Sequence, residues 1–199
     1  MDYIKEKIIL KSFELFRKVG VKGITMDMIS KELGISKKTL YEHFFSKEEL
    51  IRRTFTEKLS LAVSELEKNS KNHNPVIHQF FFLLKNFTDI FFIKKDSLSL
   101  QLEKFYPEIY SEILNIQKQC IETLIENNIT QGIKEGLYRS KINKDLTVDF
   151  FYQAEQFIYS EEVPPNKNAL TYYLELLIRS IATKKGLKEL EKLPKSIVG

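Results

Sequence analysis

The stretch GISKKTLYEHFFSKEEL, residues 34–50, decides how this chain is read. Residues 37–44 within it make only about two turns of helix, far below the ~12–15 residues at which an isolated helix is even marginal in water. Leu40 and Phe44 form its one apolar i, i+4 pair, while Lys37, Lys38, Thr39, Tyr41 and His43 point elsewhere. So short and polar a helix exists only if its neighbours hold it in place. What it displays is two lysines, a tyrosine and a histidine.

Those neighbours announce themselves by their caps. Thr25 is an N-cap residue type, and Ile24 and Ile29 flank it at the positions of a hydrophobic staple. Gly34 suits the left-handed residue that closes a helix. Ser36 caps again, with Ile35 and Leu40 as its staple. Ser46 caps a third time, with Glu49 completing an S-x-x-E box and Phe45 pairing with Leu50. The pattern predicts helices over 26–33, over 37–44 and from 46 to about 70.

Working outward, helix signals dominate. The chain has seven Gly and five Pro and no Asn-Gly or Asp-Gly hairpin turn, so spacings of three and four prevail. A first helix is expected over 3–19, with Ile8, Ile9, Phe13, Leu15, Phe16 and Val19 on its apolar face. Asn74-Pro75 opens a helix to about residue 94, a short one covers 97–105, and Pro107 opens a long one that stops at Gly136. Asn143 or Asp145 caps a helix to about residue 159. EEVPPN, residues 161–166, is a break, and a last long helix runs from about 167 to 185, ended by Gly186. The reading is all-α: an N-terminal three-helix helix-turn-helix domain plus a C-terminal antiparallel helical bundle, about nine helices in total.

Composition bounds the function. A chain that is 43% hydrophobic and 29% charged is soluble and globular. The opening residues carry charges where a signal peptide needs its apolar region, and Cys120, the single cysteine, fits a reducing compartment, so a cytoplasmic protein is expected. The most apolar run, residues 80–93, contains Lys85 and Asp89 and is too short to span a bilayer. The net charge of +4 resides in the first 60 residues, over a neutral remainder. That balance fits an anionic partner for the first unit as well as it fits an ordinary solvated surface. His43, His73, His78 and Cys120 have no metal-ligand spacing, and no glycine-rich phosphate loop is present. No catalytic residue, metal or cofactor is expected, and the chain does not read as an enzyme.

A short capped helix, a tight turn and a second short capped helix make a helix-turn-helix, whose second helix enters the DNA major groove and meets base edges with its first residues. Lys37 and Lys38 are then first to reach bases or flanking phosphates, and residue type alone does not choose between these. Lysines at a helix start are ordinarily just solvated, although they oppose the helix dipole there.

GITMDMISKELGISKKTLYEHFFSKEELI, residues 23–51, resembles the DNA-binding domain of the TetR family of bacterial transcriptional regulators. Thr25, Gly34-Ile35-Ser36, Thr39-Leu40-Tyr41, His43-Phe44 and Ser46-Lys47-Glu48 stand in the register of the family pattern. The resemblance implies that Thr25, Ser36, Thr39, Tyr41, His43 and Lys47 touch phosphate or groove, and that Lys37 touches a base. Lys38 departs from the pattern, which often holds a small residue there; a lysine adds a phosphate clamp or changes which bases are read.

The same resemblance implies a DNA-binding domain over residues 1–50, a fourth helix linking to the body, and a ligand-binding and dimerisation domain over 51–199. Residues 132–147 resemble the segment joining the family's seventh and eighth helices. A homodimer on a palindromic double-stranded operator is implied, with repression relieved by a small, largely apolar or aromatic inducer and with no membrane partner. Leu146, Phe150, Ala154 and Phe157 form one candidate dimer stripe, and Leu170, Leu174, Leu177 and Ile181 another; the alternative is that both face a protomer's own core. Phe87, Phe91, Phe105, Tyr106, Tyr110 and Gln117 are the candidate pocket residues, with Asp89 or Glu122 to orient a polar ligand. The competing reading is a helical protein-interaction module without specific DNA readout.

Overall fold

The computed structural model describes residues 3–73, 75–90, 97–158 and 169–193, and within these every side chain except those of 87–90, 154–158 and 169–170. Among the described residues ten helices follow in chain order: α1 (Tyr3–Val19), α2 (Met26–Leu33), α3 (Lys37–His43), α4 (Lys47–Ser70), α5 (Val76–Ile90), α6 (Ser97–Phe105), α7 (Pro107–Lys134), α8 (Lys144–Ile158), α9 (Ala169–Ile181) and α10 (Lys184–Leu190). The expected all-α class is what forms. Among the described residues no helix is long and apolar enough to cross a membrane.

The chain divides into two compact units, Met1–Leu61 with Lys95–Gln117, and Ala62–Lys94 with Lys118–Gly199. In the first, α1 packs on α2 and α2 on α3. Ile8, Ile9 and Phe16 of α1 are buried with Ile24, Ile29, Leu40 and Phe44, and Phe16 stacks on Phe55 at 6.1 Å. Val19, expected on the buried face of α1, is half exposed.

In the second unit, α5 packs against α9 and α10, and α8 against α9. Apolar burial is concentrated in Phe80, Phe81, Ile125, Phe151 and Leu174. A polar chain runs through this core: the Tyr138 hydroxyl donates to Asn128 Oδ1 at 2.9 Å, and Asn128 Nδ2 donates to the Val76 carbonyl at 3.0 Å. Burial, and then the nearby charge of Glu135, pushes the Tyr138 phenol well above its ordinary pKa, so it stays a donor.

Asn143 is the cap of α8, its Oδ1 accepting from the Leu146 N–H at 3.0 Å. The last helix differs from expectation. Instead of one helix to about residue 185, α9 stops at Ile181 and α10 restarts at Lys184. A distant strand of chain breaks it: Arg139 N donates to Ile181 O, Thr183 N donates to Leu137 O, both at 2.9 Å, and Tyr138 and Ala182 form an isolated antiparallel bridge. Thr183 then caps α10 through the Gly186 N–H at 3.1 Å. Gly186 is therefore inside a helix, not at its end. A Cβ on it would stand 2.1 Å from the Leu137 carbonyl oxygen, so only glycine fits that approach.

Candidate nucleic-acid interface

The caps set the geometry of residues 25–50. Thr25, in an extended conformation, accepts the Met28 N–H on its hydroxyl at 3.2 Å. Gly34 closes α2 at φ 64°, where a side chain would be strained, and its N–H returns to the last turn. Two residues later Ser36 starts α3, its hydroxyl accepting the Thr39 N–H at 3.0 Å and lying 2.8 Å from the Thr39 hydroxyl. Phe44 then leaves the helical region at φ −142° and ends α3. Buried Leu40 and Phe44 hold this short helix against its neighbours.

The Ser46 half of the S-x-x-E box forms, Glu49 N donating to Ser46 Oγ at 3.1 Å, while the Glu49 carboxylate accepts from the N–H of Phe45, one residue before the cap, at 2.7 Å. The expected staple beside it does not: Phe45 is 87% exposed and Leu50 fully buried, so the two side chains do not pack. The carboxylate, not an apolar contact, fixes the entry to α4. Glu49→Ala is accordingly expected to lower stability by about 1 kcal/mol, read as a shifted urea midpoint at constant slope.

The sequence-predicted contacts fall into three groups. Thr25, Ser36 and Thr39 use their hydroxyls on caps at the starts of α2 and α3, adjoining the N–H groups that suit phosphate. Lys38 and Tyr41 are exposed and His43 half-buried on α3. The two remaining lysines are engaged within the protein. Lys37 Nζ lies 2.8 Å from Asp27 Oδ1, and that hydrogen bond and charge raise its pKa. Lys47 Nζ turns to the Lys22 carbonyl at 3.4 Å and lies 5.8 Å from the Tyr106 ring centre, where burial lowers its pKa.

The candidate pocket set is placed differently from expectation. Phe105 carries the ammonium groups of Lys22 at 4.5 Å and Lys104 at 5.6 Å, and Tyr106 that of Lys47, so these rings are supports for lysines of the first unit. Tyr110 is half-buried. Gln117 is buried, and its Oε1 has no hydrogen-bond partner. Glu122 pairs with Lys118 at 3.6 Å. Phe91 and the side chains of Phe87 and Asp89 lie outside the described residues.

The two candidate dimer stripes separate. Leu146 and Phe150 on α8 are exposed, whereas Leu174, Leu177 and Ile181 are buried in their own unit because α9 turns that face to α5 and α8. Among the described side chains of α9, Tyr172 and Leu176 are large, apolar and exposed, and neither belongs to the expected stripe. A groove of about 680 Å³ includes Leu146, Phe150, Leu177, Ile181, Arg139 and Lys141 in its lining. The side chains of Ala154, Phe157 and Leu170 lie outside the described residues. Asp27, also passed over, was detectable in principle: it is in the first turn of α2, and a helix-turn-helix brings that turn near the first turn of α3.

Residues 8–54 match the family model of bacterial regulatory proteins, tetR family. The chain is similar to the HTH-type transcriptional regulator YhgD of Bacillus subtilis, 27% identical over 191 residues that span 89% of this chain and 96% of that protein. It is also similar to the biofilm operon icaADBC HTH-type negative transcriptional regulator IcaR of Staphylococcus epidermidis, 31% identical over 61% of this chain and 65% of that one. Among solved structures, the fold matches a regulator of the TetR/AcrR family from Thermobifida fusca, with a TM-score of 0.62, 18% identity and coverage of 88% and 94%. It likewise matches the fatty acid degradation regulator FadR of Bacillus halodurans, with a TM-score of 0.63, 14% identity and coverage of 90% and 94%. Over residues 8–54 the chain is thus similar to the bacterial regulatory proteins of the tetR family, and over most of its length to an HTH-type transcriptional regulator.

Proposed function

We propose that this protein is a TetR-type transcriptional regulator, a cytoplasmic repressor that binds a palindromic operator as a homodimer and is released by a small molecule, and that it is not an enzyme. The observation that carries the reading is α3 itself: two turns long, capped at Ser36, anchored by Leu40 and Phe44, and presenting Lys38 and Tyr41 to solvent. A helix so held is suited to enter a major groove with its first turn against base edges. Thr25, Ser36, Lys37, Lys38, Thr39, Tyr41, His43 and Lys47 are the proposed contacts, Lys47 after leaving Tyr106. The name of IcaR, a negative regulator, supports repression.

The proposed division of labour is DNA binding by residues 1–50 and ligand binding and dimerisation by 51–199. Leu146, Phe150, Tyr172 and Leu176 leave an apolar face on α8 and α9 that a second copy would cover. Buried Gln117, with an unsatisfied carbonyl oxygen, favours an inducer that brings a hydroxyl or ammonium donor into apolar surroundings. Inducer release then follows from its tighter binding to the state that fits DNA less well.

The test is a gel shift with duplex DNA flanking the protein's own gene. Lys37→Ala and Tyr41→Ala are each expected to weaken retention about tenfold, the loss of one good base or backbone contact. Sedimentation should show both variants still dimeric. Retention of the unmodified protein only at low salt, without preference for sequence, would sink the reading.

A further inference from the structure

Phe45 is the most exposed large apolar side chain among the described residues, at 87%, and it stands between the end of α3 and the start of α4. Isolated apolar side chains are common on protein surfaces, so exposure by itself assigns no role. The position of this one does. Phe44 has extended backbone, φ −142° and ψ 112°, and extended chain sends successive side chains to opposite sides. Phe44 turns inward and, like Leu40, is fully buried, so Phe45 turns outward, the side on which α3 displays Lys38 and Tyr41. The Phe45 N–H is taken by the Glu49 carboxylate at 2.7 Å, so the ring, not the amide, is what this residue offers a partner.

With the first turn of α3 at base edges, as proposed, Phe45 lies eight residues beyond Lys37. At ~1.5 Å per residue that is about 12 Å along the helix axis, roughly the width of the major groove. It therefore falls at the groove wall, where sugars rather than base edges form the surface, and Lys47 follows it at the start of α4. A deoxyribose shows C–H groups there between charged phosphates. Covering them with an aromatic ring removes apolar surface of both partners from water. We propose that Phe45 is a DNA-binding residue that lays its ring on a deoxyribose of the strand flanking the groove, adding affinity that depends on neither base sequence nor salt. Lysines act otherwise: each phosphate they neutralise releases counterions, and that contribution fades as salt rises. The ring supplies a hold that survives it.

The inference rests on the DNA-binding reading, and the experiment separates the two. The full chain first selects duplexes from a randomised library. Parent, Phe45→Ala, Phe45→Leu and Lys38→Ala are then titrated across a salt series with the selected duplex and an unselected one of equal length. Phe45→Ala is expected to weaken both duplexes alike, about tenfold, through lost apolar burial, with salt lines parallel to the parent's. Lys38→Ala, the comparator, should flatten the log–log slope by about 0.9, one phosphate contact. Phe45→Leu should keep most of the affinity, because its side chain is still apolar. The chain has no tryptophan, so Phe45→Trp supplies a single reporter, whose quenching by acrylamide should fall when duplex is added. Unchanged affinity of Phe45→Ala overturns the proposal, as does unchanged quenching of Phe45→Trp at saturating duplex. So does a loss confined to duplexes with thymine at one position, which marks a base methyl as the partner. A flattened slope for Phe45→Ala overturns it too, because the ring is then a support for a neighbouring lysine. Failure of the unmodified chain to enrich any duplex overturns the DNA-binding reading first, and is seen before any variant is made.

Discussion

Phe44→Ala is expected to destabilise the protein by about 3–5 kcal/mol, the range for emptying a fully buried phenylalanine site. The ring is wholly buried, its backbone N–H closes α3 on the Leu40 carbonyl at 3.0 Å, and the Lys5 ammonium lies 5.5 Å from its centre. Two turns of helix have no stability of their own, so α3 should be lost with its anchor and DNA retention with α3. The control is one residue away. Phe45→Ala removes a side chain of equal size that is 87% exposed, and should stay within about 0.5 kcal/mol of the parent. Urea unfolding of the two variants side by side is the measurement; similar losses for both would show that the site is not anchored as described.

Gly132→Ala should be nearly as damaging, for the opposite reason. A Cβ there would lie 2.1 Å from Tyr138 Cδ2 and 2.2 Å from Cε2. The flexible end of a surface side chain would simply move aside. Tyr138 is buried, its hydroxyl is tied to Asn128, which is itself tied to Val76, and its edge meets Phe80 at 6.0 Å. Relief of the clash must break this polar chain or displace α7. An overpacking loss of about 3 kcal/mol is expected. At ~2–4 °C per kcal/mol for a chain of this size, the midpoint should fall by about 6–12 °C in a thermal melt. A melt unchanged from the parent would mean that the ring has room to shift.

What the sequence made legible is what short-range chemistry dictates. Thr25, Gly34, Ser36 and the Ser46–Glu49 box act within four residues, so α2 and α3 and the turn between them were readable almost to the residue. The staple at Phe45 apart, the misplacements involve partners distant along the chain or faces that spacing does not separate. A staple at Phe45 was expected from spacing, yet the carboxylate of Glu49 already satisfies that helix start. The break between α9 and α10 comes from residues 137–139, which no local pattern in 167–185 announces. Apolar residues lie on more than one face of α9, so periodicity did not distinguish buried Leu174 from exposed Leu176. Phe105 and Tyr106 read as pocket aromatics because their lysine partners, Lys22 and Lys47, are far upstream. Lys37 was placed at the right end of the right helix, and its partner Asp27 was missed because opposite charges ten residues apart carry no helical signature.

The rung formed by Tyr138 and Ala182 has a topological consequence. Around it Arg139 also donates through its guanidinium to the Ser180 carbonyl, 41 residues away. The chain thus departs from one point and returns to it, and everything between is an excursion with its two ends already joined. Loop-closure entropy grows only with the logarithm of length, so an excursion of this kind can be lengthened at small cost to the rest of the chain. Both α8 and α9 lie within it and α9 is also packed on α5, so what this closure makes cheap is added length between elements, not a change in the buried faces of the helices themselves.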